Sequence, residues 1–277
     1  MLAKLNSRIL EIITFILVIV GLVILASSAV VLSYKTYGDN YYYLKHQIAP
    51  GLLAGLLLFF ITRKISHQKL KVIALPLLLI NIALLILVFF DPFGISHGGA
   101  RRWLEIGGYS FQPSEFLKLT LVIYLASWIE RRQDSIRNFI GGFLPFLLIS
   151  GVIGILLIKQ PDVGTLGVIL FTALFVFLVG GSKISHFFIT ILAGVAAVLI
   201  LIKIEPYRFN RLLTFLNPEH DPLGIGYQVN QAIIAIGSGG LFGVGIGESR
   251  QKYNYLPEPV GDSIFAVASE ETGLIGA

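Results

Sequence analysis

The chain has no cysteine and a single methionine among its 277 residues. Disulfides, thiolate nucleophiles and cysteine-bound metals are therefore excluded, and cysteine usage carries no information on redox compartment. Charge is scarce too: 13% of residues are charged against 55% hydrophobic, and the mean hydropathy is +0.82. A soluble domain of this length needs more polar cover than that. The five histidines are scattered, with no HExxH or other ligand spacing, so no metal site is expected from them. The net charge of +5 is distributed over short loops, and no nucleic-acid partner is expected.

What the chain has instead is a succession of apolar runs, at residues 9–31, 47–62, 72–90, 114–129, 139–158, 165–179, 187–202 and from 262 onward. Each is near the roughly 20 residues that cross a bilayer core, or a little short of it. A helix satisfies its own backbone groups in lipid. The expected fold is thus all-α: a polytopic integral membrane protein with about eight transmembrane helices. The first run is long and is followed by no A-x-A-like cleavage pattern, so it reads as a span and not as a signal peptide.

Lysine and arginine in the short loops give the orientation. A cytoplasmic N-terminus puts Lys4, Arg8, Arg63, Lys64, Lys69, Lys71, Arg131, Arg132, Arg137 and Lys183 inside, and Lys35, Lys45, Arg101, Arg102 and Lys159 outside. The inside set is the larger, as the positive-inside rule requires. Residues 203–261 then form one long extracytoplasmic loop between the seventh and eighth spans, and a loop of that length is rarely mere connection.

Several polar groups stand at or near membrane depth. FQPSEFLKL puts Glu115 and Lys118 three apart on one helical face, just after Pro113. They read equally as a structural ion pair or as part of a site. In KQPDVGT, Asp162 beside Lys159 is placed to cap the next helix, a role that does not stop it facing a cavity. The loop at residues 93–112 offers Arg101, Arg102, Trp103 and paired glycines. Glycines 237, 239, 240, 243, 245 and 247 have no βαβ context for a dinucleotide fingerprint. They allow close backbone approach, to a neighbouring helix or to a diphosphate. Asp262 stands at the mouth of the last apolar run. Glu270 lies about 12 Å further along a helix and Glu271 nearly opposite Asp262, which suits burial in helix packing better than catalysis.

Taken together, GARRWLEIGGYSFQPSEFLK, KQPDVGT, YRFNRLLTFLNPEHDPLGIGYQVNQ, GVGIGESRQKYNYLPEP and GDSIFAVASEETG resemble, in order, the successive signatures of the SEDS family (shape, elongation, division and sporulation). They span nearly all of the chain, and ESRQKYNYLPE is more similar to the division and sporulation branch than to the elongation branch. There are departures. VGDSIFA stands where relatives often have HTDFIFA, and PEHDP, with Glu219 and His220, where many have PWxDP; Asp221 and Asp262 are kept.

The resemblance implies a single transmembrane domain over residues 1–277, with the last two of the family's ten spans missing. It implies a peptidoglycan glycosyltransferase that polymerises lipid II at the outer face of the cytoplasmic membrane during cell division. Asp262 would be the general base. Substrate-binding roles fall on Arg101, Arg102, Glu115, Lys118, Lys159, Asp162, Arg208, Arg211, Gln228, Gln231, Lys252 and Glu258. Implied partners are lipid II and undecaprenyl-diphosphate-linked glycan, a class B penicillin-binding protein, other divisome proteins and membrane lipids. No cofactor is demanded, although a divalent cation, Mg²⁺ or Mn²⁺, is compatible with carboxylates beside a diphosphate. The alternatives are a lipid II transporter and a non-enzymatic division scaffold.

Overall fold

Proline and glycine set the helix boundaries. Pro113 opens a helix at its first turn, where its missing N–H costs nothing. Pro50 removes a donor inside a helix, and the ladder there slips into a π turn, Gln47–Leu52. In this computed structural model the described residues are 2–97, 100–107, 109–204, 209–210, 213–214 and 224–277. Their helices are α1 (Leu2–Tyr37), α2 (Tyr42–His46), α3 (Leu53–Thr62), α4 (His67–Leu87), α5 (Pro113–Arg131), α6 (Leu144–Lys159), α7 (Val163–Val179), α8 (Ile184–Ile204), α9 (Ile225–Ser238) and α10 (Ile264–Gly276). A second π turn, Phe139–Phe143, leads into α6.

Every apolar run of the sequence lies on one of these helices. Arg8–Tyr37, Tyr42–Thr62, His67–Leu87 and Phe139–Lys159 are long and apolar enough to cross a membrane, and Val163–Val179 and Ile184–Ile200 are shorter apolar helices. Their outward side chains are those of a chain solvated by lipid: Leu10 and Leu17 on α1 are 67% and 64% exposed, and Leu192 on α8 is 72% exposed. Water would not tolerate such continuous apolar faces. The chain is a helical integral membrane protein.

Two segments expected as loops contain regular elements among their described residues. Residues 93–112 contain a three-stranded antiparallel meander, β1 (Gly94–His97), β2 (Ala100–Ile106) and β3 (Tyr109–Phe111), in the order β1-β2-β3. Trp103 pairs with Ile95, and Leu104 with Phe111. Glycine pairs at 98–99 and 107–108 flank ARRWLEI, and Gly107 takes φ +60° in the second turn. The long segment at 203–261 contains α9.

The chain divides into two compact units, residues 1–63 with 201–277, and residues 64–200. The core of the second unit is built from i, i+4 stripes. Leu117, Leu121, Leu125 and Ile129 of α5 meet Leu78 and Leu85 of α4, Ile153 and Leu157 of α6, and Ile169, Ala173 and Phe177 of α7. In the first unit α1 packs on α2 and α10, and α9 packs on α10 around Ala235, Leu256, Ala266 and Val267.

Candidate active site

In the first unit, the segment 239–263 folds back onto α10, and its glycines are what allow it. A Cβ on Gly239 would overlap the Ser269 carbonyl, and one on Gly243 (φ +80°) the Glu271 carbonyl. The amides of Val244 and Gly245 donate to the carbonyls of Glu270 and Glu271, each at 3.0 Å. Gly273 (φ +68°) interrupts α10, and beyond it the Leu274 amide donates to Gly240. At Gly239 and Gly243 the close approach is to a neighbouring helix, whereas a Cβ on Gly237, Gly240 or Gly247 would meet nothing within 4 Å.

Both glutamates are buried, at 2% exposure each. Glu270 accepts from Ser249 Oγ at 2.5 Å and from the amides of Arg250 (3.0 Å) and Gln251 (3.4 Å). Glu271 Oε1 accepts from Ser27 Oγ of α1 at 2.5 Å and lies 2.9 Å from Lys252 Nζ. Lys252 also donates to Ser27 Oγ (2.9 Å) and to the Gly247 carbonyl (2.6 Å). Its three N–H groups are thus all taken up inside the protein, at 4% residue exposure. Expected as a diphosphate ligand, Lys252 here has no donor left for one.

Asp262 is exposed in the turn before α10. Ser263 is the N-cap residue but makes no side-chain cap bond. The turn is held from two sides. The Glu258 carbonyl, at a left-handed φ of +47°, accepts from the amides of Gly261 (3.2 Å) and Ser263 (3.1 Å). Gln228 Nε2 of α9 donates to Ser263 Oγ at 3.2 Å. Gln231, one turn along α9, is half-buried, and the Glu258 side chain is exposed. An apolar groove of about 590 Å³ runs between α1 and the α2–α3 helix. It is lined by Phe15, Leu22, Leu25, Leu56 and Phe59 and reaches Val260 and Ile264, two residues to either side of Asp262. The exposed carboxylate is thus flanked in the chain by two residues that line an apolar groove, without lining it itself.

In the second unit the hub is Asp162. It occupies the N-cap position of α7, yet its side chain makes no cap bond. Instead Oδ2 accepts from Gln112 Nε2 (2.9 Å) and Ser114 Oγ (3.3 Å), and Oδ1 lies 3.7 Å from Arg102. Arg102 also donates to the carbonyls of Gln160 and Pro161. The cluster joins the meander, the start of α5 and the α6–α7 turn. Arg101 is turned into the meander, where it pairs with Asp91 and donates to the carbonyls of Phe89 and Gly94. Glu115 and Lys118 pair at 2.8 Å on an exposed face, and Lys159 is exposed at the end of α6. Arg208, Arg211, Glu219, His220 and Asp221 lie outside the described residues.

The sequence did not single out Ser27, Ser249, Gln112 or Ser114 as partners of these carboxylates, because a serine carries no periodic signal. The glycine pairs flanking ARRWLEI were the available signal for the meander that carries Arg101 and Arg102.

A family model described as "Cell cycle protein", covering FtsW, RodA and SpoVE, matches residues 7–277. Stage V sporulation protein E of Bacillus subtilis is 38% identical over 96% of this chain and 73% of its own length. A protein of Trichlorobacter lovleyi named "Probable peptidoglycan glycosyltransferase FtsW" is 37% identical over 92% of this chain and 67% of its own. Among solved structures, a chain studied for the coordination of polymerization and crosslinking in a peptidoglycan synthase complex superposes with a TM-score of 0.62 at 29% identity. That match covers 92% of this chain and 71% of the other. The rod shape determining protein RodA of Thermus thermophilus gives 0.55 at 27%, over 93% and 67%. With the sequence signatures in order, the family model matching residues 7–277 and the fold shared with RodA, this chain belongs to the FtsW/RodA/SpoVE family of cell cycle proteins, the SEDS family.

Proposed function

We propose that the chain is a peptidoglycan glycosyltransferase of the bacterial cytoplasmic membrane, with its N-terminus inside, that polymerises lipid II at the outer face. The observation that carries this reading is the apolar groove ending beside the exposed Asp262. A lipid-linked sugar needs that combination: a place for the isoprenoid in the membrane and a water-facing carboxylate at the headgroup. The names of the FtsW relatives support the same reaction.

In this mechanism Asp262 removes the proton from the acceptor's 4-hydroxyl. The freed oxygen pair attacks the anomeric carbon of the donor from the face opposite the diphosphate. The new glycosidic bond forms as the old carbon–oxygen bond breaks, with inversion, and the lipid diphosphate leaves with the bonding pair. Gln228, Gln231 and Glu258, near Asp262 in the first unit, flank the reacting sugars. Among the described residues no three Asp, Glu or His side chains gather as a metal site. A Mg²⁺ or Mn²⁺ ion would be held by Asp262 jointly with the phosphate oxygens, where it would neutralise charge.

ESRQKYNYLPE and the FtsW and SpoVE relatives favour a division-type role at the septum, alongside a class B penicillin-binding protein. The test is lipid II polymerisation by purified chain with that partner. Asp262→Asn should abolish glycan synthesis while the thermal midpoint and partner binding hold. Full synthesis by the variant removes Asp262 from the mechanism; lipid II movement across vesicles without polymerisation favours the transporter.

A further inference from the structure

The mechanism above leaves unused a deeply buried ion pair of the first unit, Lys252 and Glu271, whose side chains are 3% and 2% exposed. Burying an ion pair costs more desolvation than its attraction readily returns, and apolar residues of equal volume often serve stability as well or better. A geometric role accounts for such a pair better than a stabilising one. Its position suggests which geometry.

Lys252 and Glu271 close the chain between them into a ring, with the ammonium 2.9 Å from the carboxylate, and Asp262 stands near the middle of that ring. On one side the ring descends α10. On the other it returns through Tyr253 to Pro259, pinned by Leu256 in the α9–α10 core. Glu270 holds the same strand a residue or two earlier, through Ser249, Arg250 and Gln251. The third member of the pair's network is Ser27, which donates to Glu271 and accepts from Lys252. Ser27 lies two residues beyond Leu25, a wall residue of the apolar groove. One buried contact thus ties together the loop that carries Asp262, the helix that follows it and the helix that walls the groove.

We propose that Lys252, Glu271 and Ser27 form a positioning clamp that sets Asp262 against the lipid groove, so that the carboxylate meets a headgroup whose tail is already seated. The inference rests on the glycosyltransferase reading for its catalytic consequence, but not for the clamp itself. Lys252 is then a positioning residue, in place of a phosphate ligand. Misplacement of a catalytic group by about an ångström costs turnover far more than binding.

The absence of cysteine makes the test clean. A single cysteine at exposed Tyr255, spin-labelled in the full chain in proteoliposomes, reports loop mobility independently of activity. The double variant Lys252→Met/Glu271→Leu removes both charges and leaves none unpaired. Its thermal midpoint should stay within a few degrees of the parent, the label should become more mobile, and kcat for lipid II polymerisation should fall about tenfold or more with KM within about twofold. Ser27→Ala, which leaves the ion pair in place, should show the same signature more weakly, and it carries the test if the double variant does not fold. Unchanged label mobility in both variants would overturn the clamp, as would a double variant that polymerises at the parental rate. A Lys252→Met variant that raises KM tenfold at constant kcat, with Glu271→Leu silent, would return Lys252 to phosphate binding. If the parent chain and its partner make no glycan, the glycosyltransferase reading fails, while label mobility still decides the clamp.

Discussion

Ser249 Oγ donates to Glu270 Oε2 at 2.5 Å, and Ser249 is fully buried while Glu270 is 2% exposed. Two backbone amides, of Arg250 and Gln251, point at the same carboxylate. Every neighbour of Glu270 in this set is a donor, so the site requires an acceptor with two oxygens. Glu270→Gln puts an amide NH₂ against N–H groups. The expected loss is about 2–3 kcal/mol, the range for hydrogen bonds to a charged group, seen as a lower thermal midpoint of the purified protein in detergent. An unchanged midpoint would show that the strand 249–251 is held by other contacts.

The glycines of the 237–247 segment are not equivalent. A Cβ at Gly243 overlaps the Glu271 carbonyl and the backbone there is left-handed, whereas a Cβ at Gly237, inside α9, meets nothing within 4 Å. Gly243→Ala should lift the segment off α10 and lower stability by at least about 2 kcal/mol. Gly237→Ala should raise it by up to about 1 kcal/mol through helix propensity. Paired thermal melts check the contrast, and equal effects would refute it.

Asp162 is 4% exposed and accepts from Gln112 and Ser114 at the start of α5, while its ion-pair partner Arg102, 3.7 Å away on β2, keeps a third of its side chain in solvent. Asp162→Ala strands the Gln112 and Ser114 donors and should cost about 2–4 kcal/mol. Arg102→Ala should cost less, about 1 kcal/mol, because water reaches the remaining groups. If the two variants melt alike, the charge pair and not the hydrogen-bonded hub holds the meander to α5.

Glu115 and Lys118 form an exposed i, i+3 pair, with side chains 54% and 40% accessible. Such pairs contribute at most about 0.5–1 kcal/mol, so Lys118→Ala should leave the thermal midpoint within a degree or two. Its KM for lipid II should rise severalfold if the Lys118 ammonium, lost in the variant, is what meets the diphosphate. A variant with unaltered KM would assign Lys118 to interface anchoring alone.

Much of this architecture was legible in the residues. The length and apolarity of the runs located the helices, since a chain in lipid must satisfy its backbone locally. Pro113 marked the start of α5 to the residue. Asp262 at the mouth of the last apolar run, with Glu270 and Glu271 further along it, was enough to separate an accessible acid from two packed ones. The order of five motifs along the chain pointed to the family.

Partner choice was not legible. Asp162 stands where a cap belongs, yet its carboxylate turns to Arg102, Gln112 and Ser114. Lys252 reads as one more basic residue in a glycine-dense loop; its partners include Ser27, far away in the chain. The meander and α9 lie where low hydropathy suggested only loop. Local propensity and membrane-length periodicity are written in neighbouring residues, so the sequence determined the helices, their order and the place of Asp262. Which buried polar atoms meet depends on desolvation and packing among segments distant in the chain, and only the tertiary structure decided that Lys252 closes on Glu271 and Ser27.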